Sequence, residues 1–72
     1  MKLPRDASGA AVVAALAKLG FERVRQNGSH VQLVKGSLRV TIPLHRSVVP
    51  GTLRSILRQA RVDLDEFLNA LR

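Results

Sequence analysis

Two glycine-containing turn signals, Asn27-Gly28 and Gly36-Ser37, sit inside "RVRQNGSHVQLVKGSLRVTI" (residues 23–42) and leave little freedom for that stretch. Asn-Gly is the favoured dipeptide for a two-residue type I′ hairpin turn, and Gly-Ser fits type II′ with glycine first. Taking both as turns predicts three antiparallel strands and fixes their register. Val24 falls opposite Val31, Arg25 opposite His30 and Arg23 opposite Gln32. Across the second turn Val31 meets Ile42, Gln32 meets Thr41 and Leu33 meets Val40. Strand side chains alternate between faces. Val24, Val31, Leu33, Val40 and Ile42 therefore share one side, and Arg23, Arg25, His30, Gln32, Arg39 and Thr41 share the other. Glu22 breaks the pattern, pointing inward opposite Leu33, so the first strand is expected to bend or fray there.

Helical patterns flank the strands. Ser8 is a helix N-cap, followed by Val12, Val13, Leu16 and Leu19 at helical spacing. Gly20 suits the left-handed position after the helix, which lets Phe21 fold back on Leu16. After a loop at Leu44–Val49, Pro50 opens a second helix. Its apolar stripe is Leu53, Ile56, Leu57 and Ala60; Arg54, Arg58 and Arg61 make a solvent stripe. A short last helix begins at Asp63, with Glu66 three residues on completing a capping box and Val62 placed to staple onto Phe67. The order is α-β-β-β-α plus a terminal helix, an α+β chain whose helices cover one face of the sheet. The other face stays open and basic. With 72 residues the chain is read as one domain, 1–72, whose core is thin for want of length and of any cysteine to cross-link it.

Charge narrows the partners. Residues 1–61 carry eleven Lys/Arg against two acids, while residues 62–72 carry one Arg against three acids. A basic body of this kind suits a polyanion or an acidic protein. Phe21 and Phe67 are the only aromatics, so there is no platform for stacking unpaired bases. Met1–Asp6 is polar and broken by Pro4, unlike a secretory signal. No apolar run approaches the roughly 20 residues of a membrane span, and a cytoplasmic location without membrane partners is expected.

Few reactions fit these residues. Asp63, Asp65 and Glu66 cluster at a helix start, where the dipole explains them. Two histidines, His30 and His45, make a metal site unexpected, and neither a Walker nor a dinucleotide glycine pattern occurs. What remains is acid/base chemistry by one histidine without metal or cofactor. RNA suits that chemistry because its 2′-OH is a built-in nucleophile that a neutral imidazole can deprotonate. Arginines would bind the phosphates and offset charge on the phosphorane. On the residues alone His30 reads more readily as a cross-strand surface residue than as a catalyst, and His45 as a loop hydrogen-bonder or a phosphate contact. Gly51-Thr52 either starts a helix or offers its N–H groups to phosphate.

Four segments together resemble the HicA-type mRNA interferase toxins of type II toxin–antitoxin systems: "KLPRDASG" (2–9), "LGFERVRQNGSH" (19–30), "VTIPLH" (40–45) and "PGTLRSILRQA" (50–60). The resemblance implies a fold like the double-stranded RNA-binding domain and ribosome-independent endoribonuclease cleavage of mRNA that arrests translation. It places the catalytic histidine at His30, with Gly28 and Ser29 as the rest of its "GSH" motif. Candidate RNA contacts are Arg23, Arg25, Lys35, Arg39, His45 and Arg46. It also implies a HicB-type antitoxin that covers the site and provides the only link to DNA. Where the pattern leads one to expect glycine after "RQA", this chain has Arg61. The competing readings are an RNA-binding module of the same fold without chemistry, and a domain whose basic face serves an acidic protein.

Overall fold

A computed structural model describes Leu3, Pro4 and Asp6–Arg72; Met1, Lys2 and Arg5, part of the "KLPRDASG" segment, lie outside the described residues. The elements follow the expected order: α1 (Gly9–Lys18), β1 (Glu22–Asn27), β2 (His30–Lys35), β3 (Leu38–Pro43), α2 (Pro50–Ala60) and α3 (Leu64–Leu71). The strands form one antiparallel sheet in the order β1-β2-β3. This is the α+β arrangement of the double-stranded RNA-binding domain with a helix added at the end.

Local chemistry sets the helix ends. The Ser8 side chain accepts a hydrogen bond from Ala11 N at 3.0 Å, satisfying one of the first-turn donors of α1. At the other end Phe21 N donates to Leu16 O and Gly20 N to Ala17 O, a Schellman closure with Gly20 at φ 101°. The end of α2 closes in the same way, with Val62 N donating to Leu57 O and Arg61 N to Arg58 O. Here the left-handed residue is Arg61 itself, at φ 56° and ψ 44°. The chain thus keeps a glycine-type turn without the glycine. Asp63 N donates to Glu66 Oε1 at 3.2 Å, as the capping-box pattern predicts.

The inner sheet face carries Val31, Leu33, Val40 and Ile42, all buried, against Val12, Leu16, Leu53, Ile56 and Phe67 from the helices. The second hairpin has the predicted register, with Leu33 opposite Val40 and Gln32 opposite Thr41. Gly36 has φ 61° and Ser37 does not share the positive φ, which is the type II′ pattern.

The first hairpin differs from expectation. Its two turn residues are Gly28 and Ser29, and Asn27 pairs with His30, Gln26 with Val31 and Arg25 with Gln32. Gly28 has φ 56° while Asn27 has no positive φ, so glycine again takes the first turn position and the type I′ reading of Asn27-Gly28 is wrong. The register moves by two residues, which leaves Arg25 on the face of His30 but one rung away. A bulge between Arg23 and Arg25 then ejects Val24, which is 52% exposed instead of inward, and brings Arg23 opposite Leu33. Glu22, expected inward opposite Leu33, pairs instead with Val34, and the irregularity expected at Glu22 lies between Arg23 and Arg25. The cause is coverage: no β1 residue is buried, so the helices do not reach over that edge strand and nothing holds its alternation in phase.

One close approach ties the helical layer to the sheet. Gly9 is buried at the start of α1, and a Cβ there would lie 2.7 Å from Leu44 Cα and 2.9 Å from the Pro43 carbonyl carbon. Gly9 N donates to His45 O at 2.9 Å, Val48 N to Ala7 O at 2.7 Å and Leu44 N to Ser29 O at 2.6 Å. The first turn of α1, the loop after β3 and the Gly28-Ser29 turn are thereby joined at one end of the sheet.

Candidate functional site

The joined end is where His30 stands. It is the first residue of β2, exposed, with Asn27 as its partner on β1 and Pro43 on β3. The next rung on the same face is Arg25–Gln32–Thr41. Diagonal cross-strand neighbours lie about 7–8 Å apart, within reach of a long side chain, so the Arg25 guanidinium can share a ligand with the His30 imidazole. The side chains of Arg25, Asn27, His30, Gln32 and Thr41 line a shallow depression of about 150 Å³ on the open face. Every lining group is polar, and one is a permanent cation.

The strand geometry sorts the remaining candidates by distance. Arg39 pairs with Val34 and is exposed on the same face, four residues along the sheet from the His30 rung, or about 13 Å. His45 and Arg46 are exposed in the loop just past Pro43, at the His30 end, and the His45 carbonyl is already used by Gly9 N. Arg23 is not on the open face: opposite Leu33, it donates from a guanidinium nitrogen to Gln26 Oε1 at 3.4 Å. Lys35 lies at the far end of β2, about 17 Å along the strand from His30. Its Nζ donates to Leu19 O at 2.7 Å and stands 5.9 Å from the Phe21 ring centroid. A cation on the last carbonyls of α1 satisfies an orphan acceptor and suits the helix dipole. The structure thus brings Arg25 to His30, keeps Arg39 on the same face, and spends Arg23 and Lys35 elsewhere.

The motif residues act through the backbone. Gly28 supplies the positive φ, and its carbonyl accepts from Gln26 Nε2 at 3.2 Å. The Ser29 carbonyl holds Leu44 N. Together they fix the residue that follows them. Asn27 lies not in the turn but directly across from His30, where it lines the depression; the signal for it in the sequence is the alternative Gly28-Ser29 turn.

Among the described residues no three His, Cys, Asp or Glu side chains come together. The chemistry this face offers is that of an imidazole, a guanidinium, two amides and a hydroxyl. Such a set binds phosphate and hydrogen-bonds sugar or base edges, and its imidazole can transfer a proton.

A family model described as "HicA toxin of bacterial toxin-antitoxin" matches residues 9–62, from the first residue of α1 to the residue that closes α2, and so takes in the whole sheet. The chain belongs to the HicA toxin family. It is therefore the toxin half of a toxin–antitoxin pair, and the partner that membership implies is an antitoxin. The comparison with curated proteins gives no match. The matched segment of the toxin contains His30, Arg25 and the Gly28-Ser29 turn, whereas α3 lies beyond it. None of the toxin's described helices is long and apolar enough to cross a membrane.

Proposed function

We propose that the toxin is a ribosome-independent mRNA interferase, an endoribonuclease that acts in the cytoplasm and arrests translation by cutting mRNA at the open sheet face. One observation carries this reading: His30 stands exposed on the helix-free face, one rung from Arg25, at the end of the sheet where backbone hydrogen bonds join the Gly28-Ser29 turn, the loop after β3 and the start of α1. In the proposed step neutral His30 takes the proton of a 2′-OH. The 2′-oxygen attacks the adjacent phosphorus and the bond to the 5′-oxygen breaks. The leaving 5′-oxygen takes its proton from solvent water, the proton held by His30 returns to solvent, and a 2′,3′-cyclic phosphate and a 5′-hydroxyl remain. Arg25 binds the nonbridging phosphate oxygens and offsets the charge that builds on them. No cofactor enters the step.

The same exposure explains how the toxin would be silenced. A HicB-type antitoxin laid over the open face would cover His30 and Arg25 together, and any contact with DNA would come through that antitoxin. The test of the chemistry is an RNA with a single 2′-deoxy nucleotide at a mapped cleavage position. Cleavage there should disappear while neighbouring sites are still cut. Continued cleavage at the deoxy position would rule out attack by the 2′-oxygen and favour another mechanism on the same face.

A further inference from the structure

Of the chain's three glutamines, Gln26 hydrogen-bonds the Gly28 carbonyl and Gln59 hydrogen-bonds Ser55 Oγ. Both are exposed. Gln32 is the reverse case. It is half-buried between its rung partners Arg25 and Thr41, yet among the described residues its amide has no side-chain hydrogen-bond partner. It lies two residues from His30 on the same strand and so on the same face, about 6.7 Å along β2. A partly enclosed amide flanked on both sides has restricted freedom, and its donor and acceptor are left for a ligand.

The ligand surface it meets follows from what the face lacks. Phe21 and Phe67 are both buried in the core, so apart from the His30 imidazole, which the cleavage step occupies, no aromatic ring on the open face is left to stack a base. A nucleotide held here is recognised by its edge. A glutamine amide presents a donor and an acceptor side by side, which pairs in bidentate fashion with adenine N7 and N6.

Resting on the endoribonuclease reading, we propose that Gln32 is the specificity-determining residue of the toxin: it reads the base next to the cut phosphodiester and selects adenine there. Arg25 and His30 hold and cut the phosphate, and Gln32, one rung away, decides which phosphate is presented. Asn27 and Thr41 border the same depression and limit the tilt of the base.

The test maps cleavage ends on a random-sequence RNA pool with purified wild-type toxin, Gln32→Leu, Gln32→Glu and His30→Ala. Wild type should favour adenine at one position beside the cut by about 5- to 150-fold, the range for one bidentate contact. Gln32→Leu should bring that preference to within about two-fold. Gln32→Glu keeps the shape but only accepts, so its preference should move toward cytosine, whose N4 donates. An unchanged adenine preference in either Gln32 variant, or a wild type without base preference, would overturn the assignment while leaving His30-dependent cleavage intact. Cleavage by His30→Ala at the wild-type rate would instead remove the endoribonuclease reading and this inference with it. Either Gln32 variant suffices if the other fails to fold.

Discussion

Replacing Gly9 by alanine sets helix propensity against steric fit, and the two predict opposite signs. Alanine stabilises a helix over glycine by roughly 0.5–1 kcal/mol. In the structure, however, the new Cβ would lie 2.7 Å from Leu44 Cα and 2.9 Å from the Pro43 carbonyl carbon, and closer still to the Pro43 oxygen. These are backbone atoms and cannot rotate away. Relief requires α1 to lift from the end of β3, and overpacking of this kind costs about 1–3 kcal/mol, sometimes more. Lifting also lengthens the hydrogen bond from Gly9 N to His45 O, now 2.9 Å, which is worth about 1 kcal/mol. The net expectation is a loss of about 1–3.5 kcal/mol. For a domain of this size that lowers Tm by roughly 4–28 °C. Urea unfolding followed by circular dichroism measures it, with an unchanged slope and a lower midpoint. A Gly9→Ala variant as stable as wild type, or more so, would show that α1 is not pressed against Pro43 and Leu44 and would refute the account of how the His30 end of the sheet is held.

Two further substitutions probe left-handed positions. Arg61 holds φ 56° at the end of α2, so Arg61→Gly should relieve about 1–2 kcal/mol of backbone strain, less roughly 0.5–1 kcal/mol of added unfolded-chain entropy, and raise the urea midpoint slightly. Gly28→Ala should lose about 1–3 kcal/mol through backbone strain at the first position of its type II′ turn alone, because nothing lies within 4 Å of the added Cβ; no loss in calorimetry would refute that turn assignment.

The parts of this chain that were legible in its sequence are those where burial disciplines the pattern. β2 and β3 lie under the helices, so a slip of one residue would invert their faces, and the alternation of Val31, Leu33, Val40 and Ile42 states their register outright. The Schellman closure of α1 was visible in Gly20 and the apolar Phe21 after it, whereas at α2 only the family resemblance, by calling for glycine at Arg61, pointed to the left-handed position that Arg61 occupies. β1 offered no such discipline. Shifting its turn from Asn27-Gly28 to Gly28-Ser29 moves the register by two, which conserves the faces and satisfies the same pattern. Only the backbone of Asn27 separates the two choices.

Legibility of the site follows the same line. His30, Arg25, Gln32 and Thr41 were grouped on one face because the alternation is insensitive to the two-residue shift. Asn27 was lost because its place depends on that shift, and Arg23 was misplaced because the Val24 bulge is invisible to alternation. The use of Lys35 at the end of α1 rests on a contact between residues 16 positions apart, which no local pattern announces. The same is true of Gly9, whose constraint comes from Pro43 and Leu44 across the fold.

The central claim is that His30 cuts RNA from an exposed position that the fold does not need. The direct measurement is the cleavage rate of a single-stranded RNA by purified wild-type toxin and by His30→Ala, with urea unfolding of both. Loss of a general acid/base should slow cleavage by about 100-fold or more. The unfolding free energy should stay within about 0.5 kcal/mol, as for an exposed substitution. Equal cleavage by the two proteins, each folded, would contradict the account.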